Sequence, residues 1–198
     1  MQPLAQIATL VIQTLASLYL FFVVMRFMLQ LARADFYNPL SQAVVKVTNP
    51  VLLPLRKVVP GFFGVDMASV LLGLIVAWLA IEINALFVIG TLFNPVIALA
   101  WAAIGLVSLV AYIIFAALIV TIIVSWVAPY SSHPALSLLH QLMEPVRVPF
   151  SRLIPPMGGL DISPIFIFLS LQVVRILLDS LAAWLGLGPL QAQFVPGY

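Results

Sequence analysis

Residues 38–66 read NPLSQAVVKVTNPVLLPLRKVVPGFFGVD, and residues 133–161 read HPALSLLHQLMEPVRVPFSRLIPPMGGLD. Adding 95 to each number of the first stretch lands on the second without a gap. Pro39, Pro50, Pro54 and Pro60 fall on Pro134, Pro145, Pro149 and Pro155, Gly64 on Gly159, and Asp66 on Asp161. Proline restricts the backbone and glycine frees it, so the recurring object is a shape. No catalytic set of side chains recurs with it.

Each copy lies between apolar runs. About 20 apolar residues carry a helix across the hydrocarbon core. Four segments qualify, at about 4–31, 67–90, 96–128 and 162–187. Shifting the first two by 95 predicts spans close to the last two. The expected fold is therefore an all-α membrane protein of two tandem repeats, 1–94 and 95–198, each built as span, connector, span. The connectors are 32–66 and 129–161, and Asn94-Pro95 starts the second repeat at a turn or helix start.

Composition agrees. The chain is 64% hydrophobic and 7% charged, with a mean hydropathy of +1.23, where soluble chains carry about a quarter charged residues. Eight Lys and Arg against six acids are too few for a nucleic-acid surface. Without cysteine there is no disulfide, thiolate metal site or thiol nucleophile. Met1–Gln6 has no basic side chain, and the run from Leu4 to Leu31 is too long for a signal peptide, so it reads as a retained span.

Two spans per repeat make the halves parallel in the membrane, unlike inverted transporter repeats. Charge then sets the sides. Arg33, Lys46, Arg56 and Lys57 lie on the first connector, Arg147 and Arg152 on the second, and none on the N-terminus, central link or tail. The positive-inside rule puts both connectors in the cytoplasm and both termini outside. Within the first connector, Asn38-Pro39 and Asn49-Pro50 each offer an N-cap and a helix-starting proline, and Leu40, Val44 and Val47 form an apolar face. Two short interfacial helices are expected, interrupted near Pro54 and Pro149 and stopped by Pro60 and Pro155, with Arg56 and Lys57 near headgroups. A shallow re-entrant hairpin is the rival geometry.

These residues resemble the YggT family of bacterial and plastid membrane proteins. The resemblance rests on Arg26 to Arg33 (RFMLQLAR), Asn38-Pro39, Thr48 to Arg56 (TNPVLLPLR) and Pro60-Gly61 through Asp66. The second copy repeats the frame at His133-Pro134, Glu144-Pro145-Val146, Pro149, Arg152 to Pro155 and Gly159 to Asp161. It departs at Thr121, Ala128 and Ser151, which stand where Arg26, Arg33 and Arg56 would be. The resemblance implies an integral protein of the bacterial inner membrane. It also implies links to cell division, nucleoid or plastid organisation, membrane-complex assembly and osmotic or ion homeostasis.

Polar groups inside spans are the candidates for intramembrane chemistry, because each costs about 2.5–3.5 kcal/mol to insert when charged. They are Glu82 and Asn84 in the second span and Arg175 and Asp179 in the fourth. Counted from Asp66 and Asp161, Glu82 lies ~24 Å deep and Arg175 ~21 Å, so a Glu82–Arg175 pair between repeats is one expectation. Pairing of Arg175 with Asp179 at i, i+4 is the other. Arg26 sits within snorkelling reach of the connector side. Ser69, Gly73 and Ala77 form a ridge of small residues suited to close helix packing. His133, His140 and Glu144 could share a helix face, but Pro134 intervenes, and no metal or cofactor site is assigned.

No nucleophile–base set stands out, so a non-enzymatic protein is expected. Its role is a scaffold or assembly factor acting through its connectors, with the bilayer and a membrane protein or second copy as partners. No small-molecule substrate is assigned. The alternative is a small channel or transporter subunit built around Glu82, Asn84, Arg175 and Asp179.

Overall fold

A computed structural model describes residues 2–62, 64–128, 131, 133–153 and 161–198. The described elements are all helical: α1 (Gln2–Leu31), α2 (Pro39–Val58), α3 (Met67–Val88), α4 (Pro95–Val127), α5 (Pro134–Leu153), α6 (Ser163–Trp184) and the single turn α7 (Pro189–Ala192). Four of them, α1, α3, α4 and α6, are long and apolar enough to cross a membrane. The chain is a multi-pass membrane protein, and its spans fall within a few residues of those expected. Pro155 and Gly159 lie outside the described residues.

Three helix starts, those of α2, α4 and α5, follow one device. Asn38 Oδ1 accepts the Leu40 N–H at 3.0 Å, and Asn94 Oδ1 accepts the Val96 N–H at 3.0 Å, each with proline as the first helical residue. His133 does the same for α5 with a ring nitrogen: Nδ1 accepts the Ala135 N–H at 3.2 Å. Its capping role accounts for His133 without His140 or Glu144.

The connectors correct one expectation. Each described connector holds a single 20-residue helix that runs through its prolines, Pro50 and Pro54 in α2 and Pro145 and Pro149 in α5. Asn49 is therefore interior to α2 and no cap. Pro50 and Pro54 remove only the bonds to the carbonyls of Lys46 and Pro50, and Lys46, Pro50 and Pro54 are all exposed. Meanwhile Ser41, Val44, Thr48 and Leu52 are buried on one stripe that spans the break. Packing on both sides of the prolines holds the halves in line. Pro54→Ala should restore a backbone bond without losing packing, and so stabilise the protein by up to about 3 kcal/mol. A lower melting point for that variant would mean that the proline-bent shape itself is required.

The expected apolar face is divided. Val44 is buried against the bundle, while Leu40 and Val47 are exposed, as are Val51, Leu53 and Val58. Leu40, Val47, Val51 and Val58 follow at i, i+7, i+11 and i+18, which is one helical stripe. Gln42, Lys46, Asn49 and Lys57 occupy another side, with exposed Leu53 among them. So α2 has a bundle face, an apolar exposed face and a polar face. In α5 the buried residues are Leu138, Leu142 and Met143, and Leu142 stands where α2 has exposed Val47. The connectors share their shape but not their packing.

Both connectors lie at one end of the bundle. Asn38 Nδ2 donates to the Pro134 carbonyl at 2.8 Å, and the Asp35 N–H donates to Gln141 Oε1 at 2.8 Å. At the other end Ala5 and Gln6 share a groove with Gln193 and Phe194. The repeats are thus parallel, but they are not equivalent. Ten of the 22 residues of α3 are buried, against three of 22 in α6, so α3 is central and α6 peripheral. The cause is legible in side-chain size. A Cβ added to Gly73 would lie 2.9 Å from Leu106 Cδ1 of α4, and Ala77 is fully buried. At the matching positions of α6 stand Pro164, Phe168 and Gln172, which hold neighbours away.

Two apolar cores result. Near the connectors, Met28, Val44, Ile113, Leu142 and Ile167 bring five helices together. Near the termini, Leu20, Ile81, Trp101 and Ala182 pack with Leu187 and Val195 of the tail. The tail, which the sequence marks only by its lack of Lys and Arg, is thus part of this core. Trp101 Nε1 donates to the Leu185 carbonyl at 3.2 Å, and Gly105 abuts Pro196.

Candidate functional site

The densest polar constellation lies at the connector end of the first repeat. Asp66 ends the first connector immediately before α3, where a carboxylate faces the positive end of a helix. Its Oδ2 accepts from Ser69 Oγ and from Arg56 Nη2, and the same Nη2 donates to Gln30 Oε1 at 2.9 Å. Asp66 is 4% exposed and Arg56 30%. This is the ion pair found among the described residues. Burial pushes the Asp66 carboxyl up, but the hydrogen bonds from Arg56 and Ser69 and the Arg56 charge outweigh it and hold it below the usual carboxylate range. Arg26, four residues before Gln30 on α1, adds a second guanidinium within the field of Arg56 and Asp66.

Three sequence-distant segments, the end of α1, the end of α2 and the start of α3, are thereby clasped together. The signal in the sequence was Asp66, which recurs as Asp161, together with Arg26 and Arg56 in the first-copy motifs that carry the family resemblance. Gln30 and Ser69 were missed as members, because a neutral polar residue near a span end does not announce its partner. In the second repeat the clasp is absent. Thr121, Ser125, Ser151 and Pro164 replace Arg26, Gln30, Arg56 and Ser69. Asp161 instead accepts the Ser163 N–H at 2.9 Å, and its hydrogen bonding to Ser163 holds its carboxyl below the usual range.

The remaining basic candidates are spread over the connector end. Arg33, Lys46, Lys57, Arg147 and Arg152 are all exposed, and Lys46 and Lys57 share the polar face of α2. Arg147 lines a groove with His140 and Glu144 on α5. Among the described residues no group of three or more His, Cys, Asp or Glu side chains is placed to hold a metal.

The span candidates are not brought together. Glu82 is buried on α3 and accepts the Phe93 N–H at 3.1 Å, which ties down the link between repeats. Asn84 is fully buried and donates to Gln13 Oε1 of α1 at 3.2 Å. Arg175 lies over the ring of Tyr112, 5.4 Å from its centroid, and Asp179 Oδ1 accepts from the Tyr198 hydroxyl at 3.0 Å. No ion pair joins Arg175 to Glu82 or to Asp179 among the described residues. The expected inter-repeat pair fails because α6 is peripheral and packs on α4 and α5, while Glu82 faces the link beside α4. Arg175, Asp179, Gln172 and Tyr198 line a cavity of about 200 Å3 between α4 and α6. Tyr112 of α4 and Tyr198 of the tail, which no motif in the sequence marks, line it too.

The family profile described as CCB3/YggT matches residues 5–92 and 100–182, one segment per repeat. The chain belongs to the CCB3/YggT family. An uncharacterized protein of Pseudomonas aeruginosa is 46% identical over 184 residues, covering 91% of this chain and 92% of the relative. The uncharacterized protein YggT of Escherichia coli K12 is 40% identical, covering 84% and 86%. An uncharacterized protein from the proC 3′ region of Vibrio alginolyticus is 36% identical, covering 92% and 96%. No solved structure matches the chain. Both halves of the YggT unit are thus present, with the Arg56–Asp66 clasp built in the first alone. The clasp and the paired connectors can fix a surface at the membrane boundary.

Proposed function

We propose that this CCB3/YggT protein is a non-enzymatic scaffold or assembly factor of the bacterial inner membrane, acting through a cytoplasmic surface formed by its connectors. The observation that carries this reading is the three-sided character of α2. One side packs on the bundle, one presents Leu40, Val47, Val51 and Val58, and one presents Gln42, Lys46, Asn49 and Lys57. A helix so divided lies along the boundary of hydrocarbon and water, with its basic side towards anionic headgroups. The cytoplasmic side follows from six basic residues on the connectors against none on the other end. A membrane-protein partner or a second copy would meet the peripheral α6, where exposed Gln172, Arg175 and Asp179 are costly to leave in lipid. Glu82 and Asn84 are held apart from the cavity lined by Arg175 and Asp179, which disfavours the transport alternative.

The absence of native cysteine makes the test direct. Lys46→Cys should be shielded from an impermeant maleimide in intact cells, and Gln193→Cys should react. A bifunctional cross-linker at position 46 should then yield a discrete protein adduct that the same linker at lipid-facing Leu15 does not. Liposomes holding the purified protein should stay tight to ions and osmolytes. Flux lost in a Glu82→Gln, Arg175→Gln variant would overturn the scaffold reading in favour of transport.

A further inference from the structure

A cleft of about 270 Å3 opens between the end of α1, the following turn and the start of α2. Its polar lining is Arg26, Gln30, Arg33 and Ser41, and Leu29 and Phe36 stand among its apolar walls. No acid lines it. Two carboxylates of the same end have other partners: Asp66 accepts from Arg56 and Ser69, and Asp35 from the Tyr37 N–H at 2.9 Å. Two cations thus face one cleft whose lining holds no carboxylate, and the Asp66 that Arg26 feels is hydrogen-bonded to Arg56 and Ser69.

Three further observations point to a ligand. Ser41 is 4% exposed, and its Oγ has no hydrogen-bond partner. Arg26 likewise has a buried Nη1 without a partner. Leaving such donors unpaired costs about 1–3 kcal/mol each, more for a charged group. Third, Arg33 sits in the left-handed region at φ 50°. It closes α1 with the Ala34 N–H on the Leu29 carbonyl and its own N–H on the Gln30 carbonyl, a turn that prefers glycine. The ends of α3 and α6 use Gly90 and Gly186 for that conformation. An arginine held there at the expense of backbone strain directs a guanidinium-bearing chain to the cleft mouth.

We infer that this cleft binds a phosphate group, with Arg26 and Arg33 supplying the charge and Ser41 and Gln30 supplying neutral donors. Guanidinium forks match phosphate oxygens in pairs, and an unpaired hydroxyl completes the donor set. Arg26 lies five residues from the end of α1, ~7.5 Å along the helix, which is headgroup depth for a span ending at the connectors. The apolar walls favour an esterified phosphate, as in a phospholipid headgroup, over the free ion. One such site exists per chain, because Thr121, Ser125, Ala128 and Leu136 stand at the matching positions of the second repeat. Thr121 has moreover turned its hydroxyl onto the Ala117 carbonyl at 2.7 Å. The inference stands whether or not the scaffold reading does.

Native mass spectrometry of the full chain in neutral detergent tests it, with phosphatidylglycerol, phosphatidylcholine and inorganic phosphate as probes. Phosphatidylglycerol should be retained in preference to phosphatidylcholine. Arg33→Asn keeps the left-handed turn and removes the charge, and should weaken that binding about tenfold or more. Arg26→Lys should lose affinity by keeping the charge without the fork, and Ser41→Leu by filling the cleft. An Arg147→Gln, Arg152→Gln variant, which loses two charges elsewhere on the same end, should bind as the unaltered protein does. Displacement of the lipid by millimolar inorganic phosphate would make free phosphate the ligand of the same site. Equal retention of both lipids with no phosphate binding would overturn the inference. So would equal loss in the Arg147, Arg152 variant.

Discussion

Asp66→Ala lowers the unfolding midpoint of the purified protein sharply, by a destabilisation of about 2–4 kcal/mol, while Asp161→Ala costs less than about 1 kcal/mol. The two aspartates occupy one position in the repeat, so the contrast isolates the clasp. Removing the Asp66 carboxylate leaves Arg56 facing Arg26 without compensation, strips Ser69 of its acceptor and unties the ends of α1, α2 and α3. Removing Asp161 releases one part-buried hydrogen bond to the Ser163 N–H. Arg56 is 30% exposed, which places the expected loss below that of a fully buried pair. The Asp66 carboxyl titrates below its unfolded value of about 3.9, so its stabilisation is complete above that pH and disappears as pH falls through the lower folded value. Thermal scans should therefore be level from about pH 7 to 5 and fall below about pH 4, with a smaller fall for Asp66→Asn. Equal losses for the two alanine variants would show that the clasp contributes nothing beyond a helix start.

Gly105→Val is expected to destabilise the protein by about 1–3 kcal/mol and to expel the tail from between α4 and α6. A Cβ at Gly105 would lie 2.6 Å from the Pro196 carbonyl oxygen and 2.6 Å from Val195 Cγ1. A backbone oxygen cannot rotate away, so the tail must leave, taking Val195 from the core and Tyr198 from Asp179. Gly73→Ala is the contrast. Its closest neighbour is the end of the Leu106 side chain, which can change rotamer at a cost below about 1.5 kcal/mol. In a chain lacking Phe194–Tyr198 the Gly105→Val cost should largely vanish, since the two changes act through one contact. An undiminished cost in that background would mean that the clash lies elsewhere. Hydrogen exchange across residues 185–198 reads the release of the tail independently.

Legibility differed by level. The spans were readable because hydropathy sums over about 20 residues and tolerates local detail. The connector helices were half readable. The Asn38-Pro39 start was evident, but the apparent second start at Asn49-Pro50 was overruled by packing of Ser41, Val44, Thr48 and Leu52 against the bundle. Of the site, Asp66 was marked by its recurrence as Asp161, and Arg26 and Arg56 by the first-copy motifs, whereas the roles of Gln30 and Ser41 emerged from proximity alone. Glu82 and Arg175 misled for a definite reason. Equal depth is a property of two helices, but contact depends on which faces they turn, and depth says nothing of that.

The 95-residue repeat, the parallel halves and the four spans were determined by the chain alone, because proline spacing and apolar run length act locally on the backbone. Which half would carry the clasp was also written there, in Thr121 and Ser151 against Arg26 and Arg56. The tertiary structure decided the rest. Small residues at Ser69, Gly73 and Ala77 drew α3 to the centre, and Phe168 and Gln172 kept α6 outside. That unequal packing sent Glu82 to the Phe93 amide and Arg175 to Tyr112. Partners of polar side chains are settled by the few ångströms over which a hydrogen bond acts, and only the assembled bundle sets distances that fine.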